Sequence, residues 1–365
     1  WGTTMASHAA TAAVIVALVA ALPVLVAAKA DAAPAGVAGS APRITQLHLA
    51  VTPTAGEMVV AWATSAADAA ANCSVVQYGT SSSSLDKSAT GNATTYTLVT
   101  YHSPLLHRVT LSGLAPSTQH FYRAGCDADA GAWSDVASFT TPPSAAGGTV
   151  RLALMGDHGH TNNSVETVAR MQAASPPYQA LIHAGDISYA NGWQPTWDSY
   201  MEMIAPLAQG LAWMVTPGNH EYVELPVVGV LPNLKAYDYR FAMPRPNAGA
   251  IGNAGVPTSL AHAPGVGADS TMDTDLYYSV DIGPVHVIAL NSEVKTWAVN
   301  SSQYQWLVAD LKAANANRAA VPWILAHWHR PWESSNHVHG NDTAMRDAWE
   351  PTLLQAGVDI VLNGH

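Results

Sequence analysis

Five apolar runs from residue 150 onward each stop at side chains able to hold a metal ion. Residues 150–155 lead into Gly156-Asp157-His158-Gly159, 180–184 into Gly185-Asp186-Ile187-Ser188-Tyr189, and 211–216, past Pro217, into Gly218-Asn219-His220-Glu221. Residues 323–326 lead into His327-Trp328-His329, and 358–362 into Asn363-Gly364-His365. Each motif is weak alone, because Asp-x-Gly is commonly a turn and a single histidine beside a strand is commonly structural. Their recurrence, each directly after a strand, carries the inference. Carboxylate, phenol, amide and imidazole donors together read as a metal site.

For these residues to meet, their strands must end at one edge. In open α/β sheets the carboxyl ends of the strands line a single crevice, where residues distant in sequence converge. Residues 302–313 carry Tyr304, Leu307, Val308 and Leu311 at helical spacing, and strands alternating with helices indicate a layered α/β fold. Ahead of this block, alternating runs at 44–51, 58–64, 74–78, 107–111, 120–125 and 136–140 are separated by Gly, Ser, Asp and Pro clusters, the pattern of a β-sandwich. The first block holds no cluster of catalytic residue types. It reads as a structural or positioning domain, against the alternative of glycan or partner binding. Thr141-Pro142-Pro143-Ser144-Ala145-Ala146-Gly147-Gly148 reads as the linker between the blocks.

At 365 residues the chain is too long for one compact core and suits two domains behind an apolar leader. With 48% hydrophobic and 11% charged residues it has ample material for a core. A net charge of -11 argues against a general nucleic-acid binder, but leaves room for a small phosphate ester if a metal supplies positive charge. The 2 cysteines, Cys73 and Cys126, rule out a disulfide-dense scaffold and a thiolate zinc cluster. They pair if the chain is exported and are buried thiols if it is not. Residues 12–28 are nearly all apolar and are followed by small-residue cleavage sites, so 1–33 reads as a secretory signal, with Met5 as the start and 1–4 untranslated. Pro23 and the Ala-rich composition weigh against a stable membrane span. Asn-x-Ser/Thr triplets at Asn72, Asn92, Asn162, Asn300 and Asn341 fit export, so the expected location is secreted, extracellular or vacuolar.

Asp157-x-Gly159, Gly185-Asp186-x-x-Tyr189, Gly218-Asn219-His220-Glu221, a His-Arg-Pro segment after a strand, and Gly364-His365 resemble the purple acid phosphatases of the metallophosphatase superfamily. Tyr239-Arg240-Phe241-Ala242-Met243-Pro244 and Gln303-Tyr304-Gln305-Trp306-Leu307 are similar to the same family. Tyr189 discriminates, since most other metallophosphatases lack a phenolate there. The stretch from Gly113-Leu114-Ala115-Pro116 to His120-Phe121-Tyr122, with Trp62, resembles a fibronectin type III domain, with His120 where an aromatic is usual. Together these imply a fibronectin III-like β-sandwich at 42–143, then a calcineurin-like metallophosphatase domain of layered αββα architecture at 149–365.

The resemblance further implies Fe(III) held by Asp157, Asp186 and Tyr189. Asp186 bridges to a divalent ion (Zn, Mn or Fe) bound by Asn219, His329 and His365, with His327 the alternative to His329. His220 and His339 are expected to face the phosphate, with His337 a second candidate for that duty. The chemistry agrees: carboxylate and phenolate suit a trivalent ion, imidazole and amide a divalent one. A site that stays cationic holds a phosphate ester and leaves bound hydroxide at acidic pH. Protonated imidazole is the fitting donor below about pH 6.5, so an acidic optimum follows. The expected activity is hydrolysis of phosphate monoesters; a phosphodiesterase of the same superfamily and a non-catalytic glycan-binding protein are the alternatives. The family's last motif is Gly-His-x-His, whose second histidine completes the iron site, so with His365 last the resemblance implies a C-terminally truncated chain. Residues 248–271 are expected to wall the substrate pocket, and a homodimer is one open assembly.

Overall fold

The computed structural model describes residues 43–65, 74–126, 132–144, 147–225, 229–231, 234–244, 276–294, 296–335 and 337–365. The leader at 1–33, Cys73, Asn72 and the 248–271 loop lie outside the described residues.

The first block holds β1 (Thr45–Val51), β2 (Met58–Thr64), β3 (Val75–Gly79), β4 (Lys87–Thr90), β5 (Asn92–Thr94), β6 (Thr97–Leu98), β7 (Tyr101–His102), β8 (Leu105–Leu111), β9 (Gln119–Gly125) and β10 (Ala137–Thr140). The alternating runs of the sequence become β1 to β3 and β8 to β10. Strands β4 to β7 escape such a reading because they are short and largely solvent-facing, with no apolar alternation to mark them. β10, β9, β3 and β4 form one sheet, which packs on the other through Val76, Tyr122 and Phe139 against Leu49, Val60 and Val109. His120 is buried and stacks on Phe139 with ring centroids 5.7 Å apart, so the imidazole keeps the planar contact of the aromatic it replaces. Cys126 is disulfide-bonded.

The second block holds β11 (Leu152–Met155), β12 (Ala180–Ala184), β13 (Ala212–Thr216), the hairpin β14 (Val223–Leu225) and β15 (Gly229–Leu231), then β16 (Tyr278–Ile282), β17 (Val285–Ala289), β18 (Trp323–Trp328) and β19 (Ile360–Asn363). Its helices are α1 (Asn162–Gln172), α2 (Pro195–Ala208), α3 (Lys235–Arg240), α4 (Ser302–Ala316) and α5 (Thr343–Gln355). β11 to β13 pair in parallel, as do β17 to β19. Alternation along each strand then builds the layers. Ala180, Ile182, Ala212 and Met214 turn toward Val280, Val287 and Leu325 of the second sheet. Leu181, Trp213 and Val215 turn outward onto Val168 of α1 and Trp197, Tyr200 and Met201 of α2. Ile324, Ala326 and Trp328 meet Leu307 and Leu311 of α4 and Met345, Trp349 and Leu353 of α5. The result is a helix–sheet–sheet–helix stack.

β13 also pairs with β1, Leu49 opposite Ala212, so one sheet of order β11-β12-β13-β1-β2-β8-β5 runs from the second block into the first. The Pro-rich connection separates the blocks along the chain but not across the hydrogen-bond ladder. On α4 the buried stripe is Gln303, Leu307, Leu311 and Ala314, while Val308, expected on the core face, is 42% exposed. The stripe is rotated because the Gln303 amide bonds both N–H and C=O of Asn291, at 2.7 and 2.9 Å.

An ion triad ties the second sheet to α4. His286 of β17 lies 2.7 Å from Asp281 Oδ1 and 3.0 Å from Asp310 Oδ2. Burial would lower its pKa, but the two carboxylates prevail and raise it to about 9, from 6.5. The folded value exceeds the unfolded one, so the triad's stabilisation is complete below pH 6.5 and is lost as the pH rises through about 9. His286→Gln is expected to lose about 1–2 kcal/mol at acidic pH and little above the folded pKa, as read by denaturant titration.

Candidate metal centre

Parallel pairing sets the carboxyl ends of β11, β12 and β13, and of β18 and β19, along one side of the paired sheets. The backbone leaves these strands in the left-handed region: φ is 53° at Asp157, 49° at Asp186, 53° at Tyr189 and, after β19, 69° at His365. Such conformations cost about 1–3 kcal/mol each and persist where a site requires them. Two glycines leave space for the donors. A Cβ at Gly218 would lie 2.3 Å from Asp186 Oδ1, and one at Gly364 2.6 Å from Asp157 Oδ2.

His329 Nε2 is the hub. It lies 3.0 Å from Asn219 Oδ1, 3.2 Å from Asp186 Oδ2 and 2.9 Å from His365 Nδ1. Its Nδ1–H donates to the Ala184 carbonyl at 2.9 Å, which turns Nε2 toward these atoms. Beside them the Tyr189 hydroxyl donates to Asp157 Oδ1 at 3.0 Å, and Asp157 Oδ2 accepts from the His365 N–H at 2.7 Å. Asp186 Oδ1 accepts from the His220 N–H at 2.9 Å.

The electrostatics follow from this crowding. Burial opposes a charged Asp186, yet the bonds from His329 and the His220 N–H hold its pKa below the usual range. Burial likewise opposes a charged His329, but Asp186 raises its pKa to about 9. Tyr189 is pushed up by burial and by Asp157 and Asp186, so only a strong cation would make it a phenolate. His365 is pulled down to about 4 by burial and by the neighbouring His329, as suits a neutral ligand. Asp157, Asp186 and Tyr189 offer hard oxygens, while Asn219, His329 and His365 offer an amide and imidazoles. With space kept by glycine, this donor set fits a metal centre, and Asp186, His329 and His365 place donor atoms within 4.8 Å of one another.

His327 is placed differently from His329. β18 runs on to Trp328, so His327 lies within the strand, opposite Ala289 and Leu362, on the face that Leu325 turns to the other sheet. It is fully buried with neither ring nitrogen partnered, and burial lowers its pKa to about 3. His220 sits with its ring 4.4 Å from that of Tyr189 and its Nε2 3.8 Å from Asp186 Oδ2. His339 packs at 4.0 Å on the His365 ring. His337 is exposed in the same turn and makes no hydrogen bond, ion pair or ring contact with these donors among the described residues.

Two contributors carry no role in the sequence reading. Glu221 accepts from the Ile187 and Gly218 N–H groups, both at 2.8 Å, and so joins the loops after β12 and β13. Burial and the nearby Asp186 push its carboxyl up to about 8 against those bonds. Its signal in sequence is an acid directly after Asn219-His220. Asn191 accepts the Nδ1–H of His220 through its amide oxygen, and only its place two residues after Tyr189 marks it.

Residues 44–141 match the family model described as "Purple acid Phosphatase, N-terminal domain", and residues 150–365 match "Calcineurin-like phosphoesterase". Purple acid phosphatase 22 of Arabidopsis thaliana is 35% identical over 293 residues, covering 80% of this chain and 59% of that protein. Purple acid phosphatase 23 of the same plant is 31% identical, covering 88% of this chain and 72% of that protein. Acid phosphatase type 7 of Homo sapiens is 32% identical, covering 80% of this chain and 59% of that protein. The chain spans 59% and 62% of the length of purple acid phosphatases 22 and 21 of Arabidopsis thaliana. A purple acid phosphatase from yellow lupin seeds (Lupinus luteus) shares the fold, with a TM-score of 0.70 at 20% identity over 89% of this chain and 58% of that one. Among the described residues, no helix is long and apolar enough to cross a membrane. A binuclear metal centre is typical of these proteins, in accord with the donor set. The chain belongs to the purple acid phosphatase family, whose N-terminal domain here precedes a calcineurin-like phosphoesterase domain.

Proposed function

We propose that this chain carries the active centre of an acid phosphatase that hydrolyses small phosphate monoesters with Fe(III) beside Zn, Mn or Fe as the divalent ion. The supporting observation is the convergence on His329 Nε2 of Asn219, Asp186 and His365, with the Asp157–Tyr189 pair adjoining. Asp157, Asp186 and Tyr189 would hold the iron; Asp186, Asn219, His329 and His365 would hold the divalent ion. When bound, the ions supply positive charge for the phosphoryl oxygens and a water acidic enough to attack at low pH. Asn219 is neutral, which limits the negative charge facing an anionic substrate. His220, tied at Nδ1 to Asn191, would donate from Nε2–H to a phosphate oxygen and supply the proton needed by the departing alcohol. His339, packed against the His365 ring, is the second donor, and His337 an outer one.

We place the domains at 42–143 and 149–365, in keeping with the family matches at 44–141 and 150–365. A secreted, extracellular or vacuolar location belongs to the same reading. It is supported by the bonded Cys126 and by the exposed side chains of Asn92, Asn162, Asn300 and Asn341. The test is metal analysis with aryl phosphate hydrolysis across acidic pH. Bound iron, a visible absorption band that Tyr189→Phe removes, and monoester turnover above diester turnover are expected. Absence of iron, or colour and rate both untouched by Tyr189→Phe, overturns the reading.

A further inference from the structure

A chain of hydrogen bonds enters the site from the sandwich side. Arg240, buried at the end of α3, donates from Nη2 to Asp198 Oδ1 of α2 at 2.7 Å and to the Tyr101 hydroxyl at 2.8 Å. Its Nη1 reaches Gln46 Oε1 at 3.1 Å and its Nε the Tyr96 hydroxyl at 3.2 Å. Gln46, Tyr96 and Tyr101 all belong to the first block. Since the Tyr96 oxygen already accepts from Arg240, its own proton goes elsewhere, to Gln194 Oε1 at 2.8 Å. Burial raises the Tyr96 pKa and keeps that proton in place.

Gln194 is buried at the N-terminus of α2, but its side chain does not cap the helix. Having accepted from Tyr96, the amide donates from Nε2 to the Gly192 carbonyl at 3.2 Å. Gly192 adjoins Asn191, the residue that takes the Nδ1–H of His220. Asn191 and Gly192 both sit in the left-handed region, at φ 48° and 88°, and Asn191 is exposed to competing water. Asn-Gly favours such a turn, which the Trp193 N–H closes onto the Ala190 carbonyl at 2.7 Å, and the Gln194 amide adds a bond to the Gly192 carbonyl beside Asn191. Tyr96 of the first block fixes the orientation of that amide.

We propose that Tyr96 is a positioning residue for His220, acting through Gln194, Gly192 and Asn191, so that the sandwich sets the orientation of a substrate-facing histidine in the other domain. The effect on rate rests on the phosphatase reading; the effect on the His220 ring does not. Tyr96→Phe keeps the ring that packs on Tyr101 and Tyr239 and removes only the hydroxyl. Tyr101→Phe is the control, because that hydroxyl bonds Arg240 and Asp198 but not Gln194.

The test uses the full chain with 15N-labelled histidine, with and without Zn(II), and His220→Gln to assign the signal. In Tyr96→Phe the His220 Nδ1 proton is expected to exchange with solvent about tenfold faster, and kcat for an aryl phosphate to fall about 5–10-fold with KM within about twofold. Tyr101→Phe is expected to lower the melting temperature as much while leaving both quantities unchanged. Unchanged exchange in Tyr96→Phe, or equal effects of the two variants, overturns the proposal. If the wild-type chain hydrolyses no ester, the phosphatase reading falls and the exchange rate alone decides the positioning role.

Discussion

Asp186→Asn is expected to abolish binding of both ions and to lower monoester turnover by on the order of 10³-fold or more, with the fold retained. Asp186 is the carboxylate proposed to serve both halves of the centre. Its Oδ2 lies 3.2 Å from His329 Nε2, and its Oδ1 takes the His220 N–H at 2.9 Å. Asparagine keeps the shape and one oxygen but removes the charge that two cations would share. The buried His329 also loses its counter-charge and is expected to become neutral, so the stability change stays within a few kcal/mol. Metal content by mass spectrometry and the thermal transition separate the two effects. Full metal content in the variant would show that Asp186 does not bridge.

The second large effect is a contrast between two histidines in one segment. His329→Leu removes the atom around which Asn219, Asp186 and His365 gather, and a loss of the divalent ion with a rate decrease of about 10²–10³-fold is expected. His327→Leu should keep both ions and nearly all activity. Both ring nitrogens of His327 are buried without a partner, so an apolar side chain of similar size relieves an unmet polar cost of about 1–3 kcal/mol. His327→Leu is therefore expected to melt no lower than wild type. Loss of metal in His327→Leu, with His329→Leu unaffected, would reverse the assignment of the ligand.

Much of this arrangement is legible in the residues because the strands that deliver the donors are largely apolar runs, and all but β18 meet a glycine within two residues of their end. β11 to β13 and β18 to β19 stand out for that reason, as do Asp157, Asp186, Tyr189, Asn219, His329 and His365 after them. Strand length separates the surroundings of His327 from those of His329. The apolar run stops at Ala326, but tryptophan carries the strand on to residue 328 and takes His327 inside with it. Contacts between sequence-distant polar groups leave weaker marks. The sheet shared between β1 and β13 rests on pairing geometry that no periodicity encodes, and the Arg240 network joins Gln46, Tyr96, Tyr101 and Asp198, whose spacing in the chain carries no motif. Val308 misleads because a glutamine, Gln303, occupies the core face that apolar spacing would give it. Glu221 and Asn191 act on backbone groups and on a ligand's neighbour, so residue type announces neither role.

Anomalous diffraction at the iron and zinc edges, from crystals grown with both metals, tests the convergence of the donors most directly. Two peaks are expected, with Asp186 touching both. One should adjoin Asp157 and Tyr189, and the other Asn219, His329 and His365. Absence of any peak among these side chains, or an ion held by residues elsewhere in the chain, would contradict it.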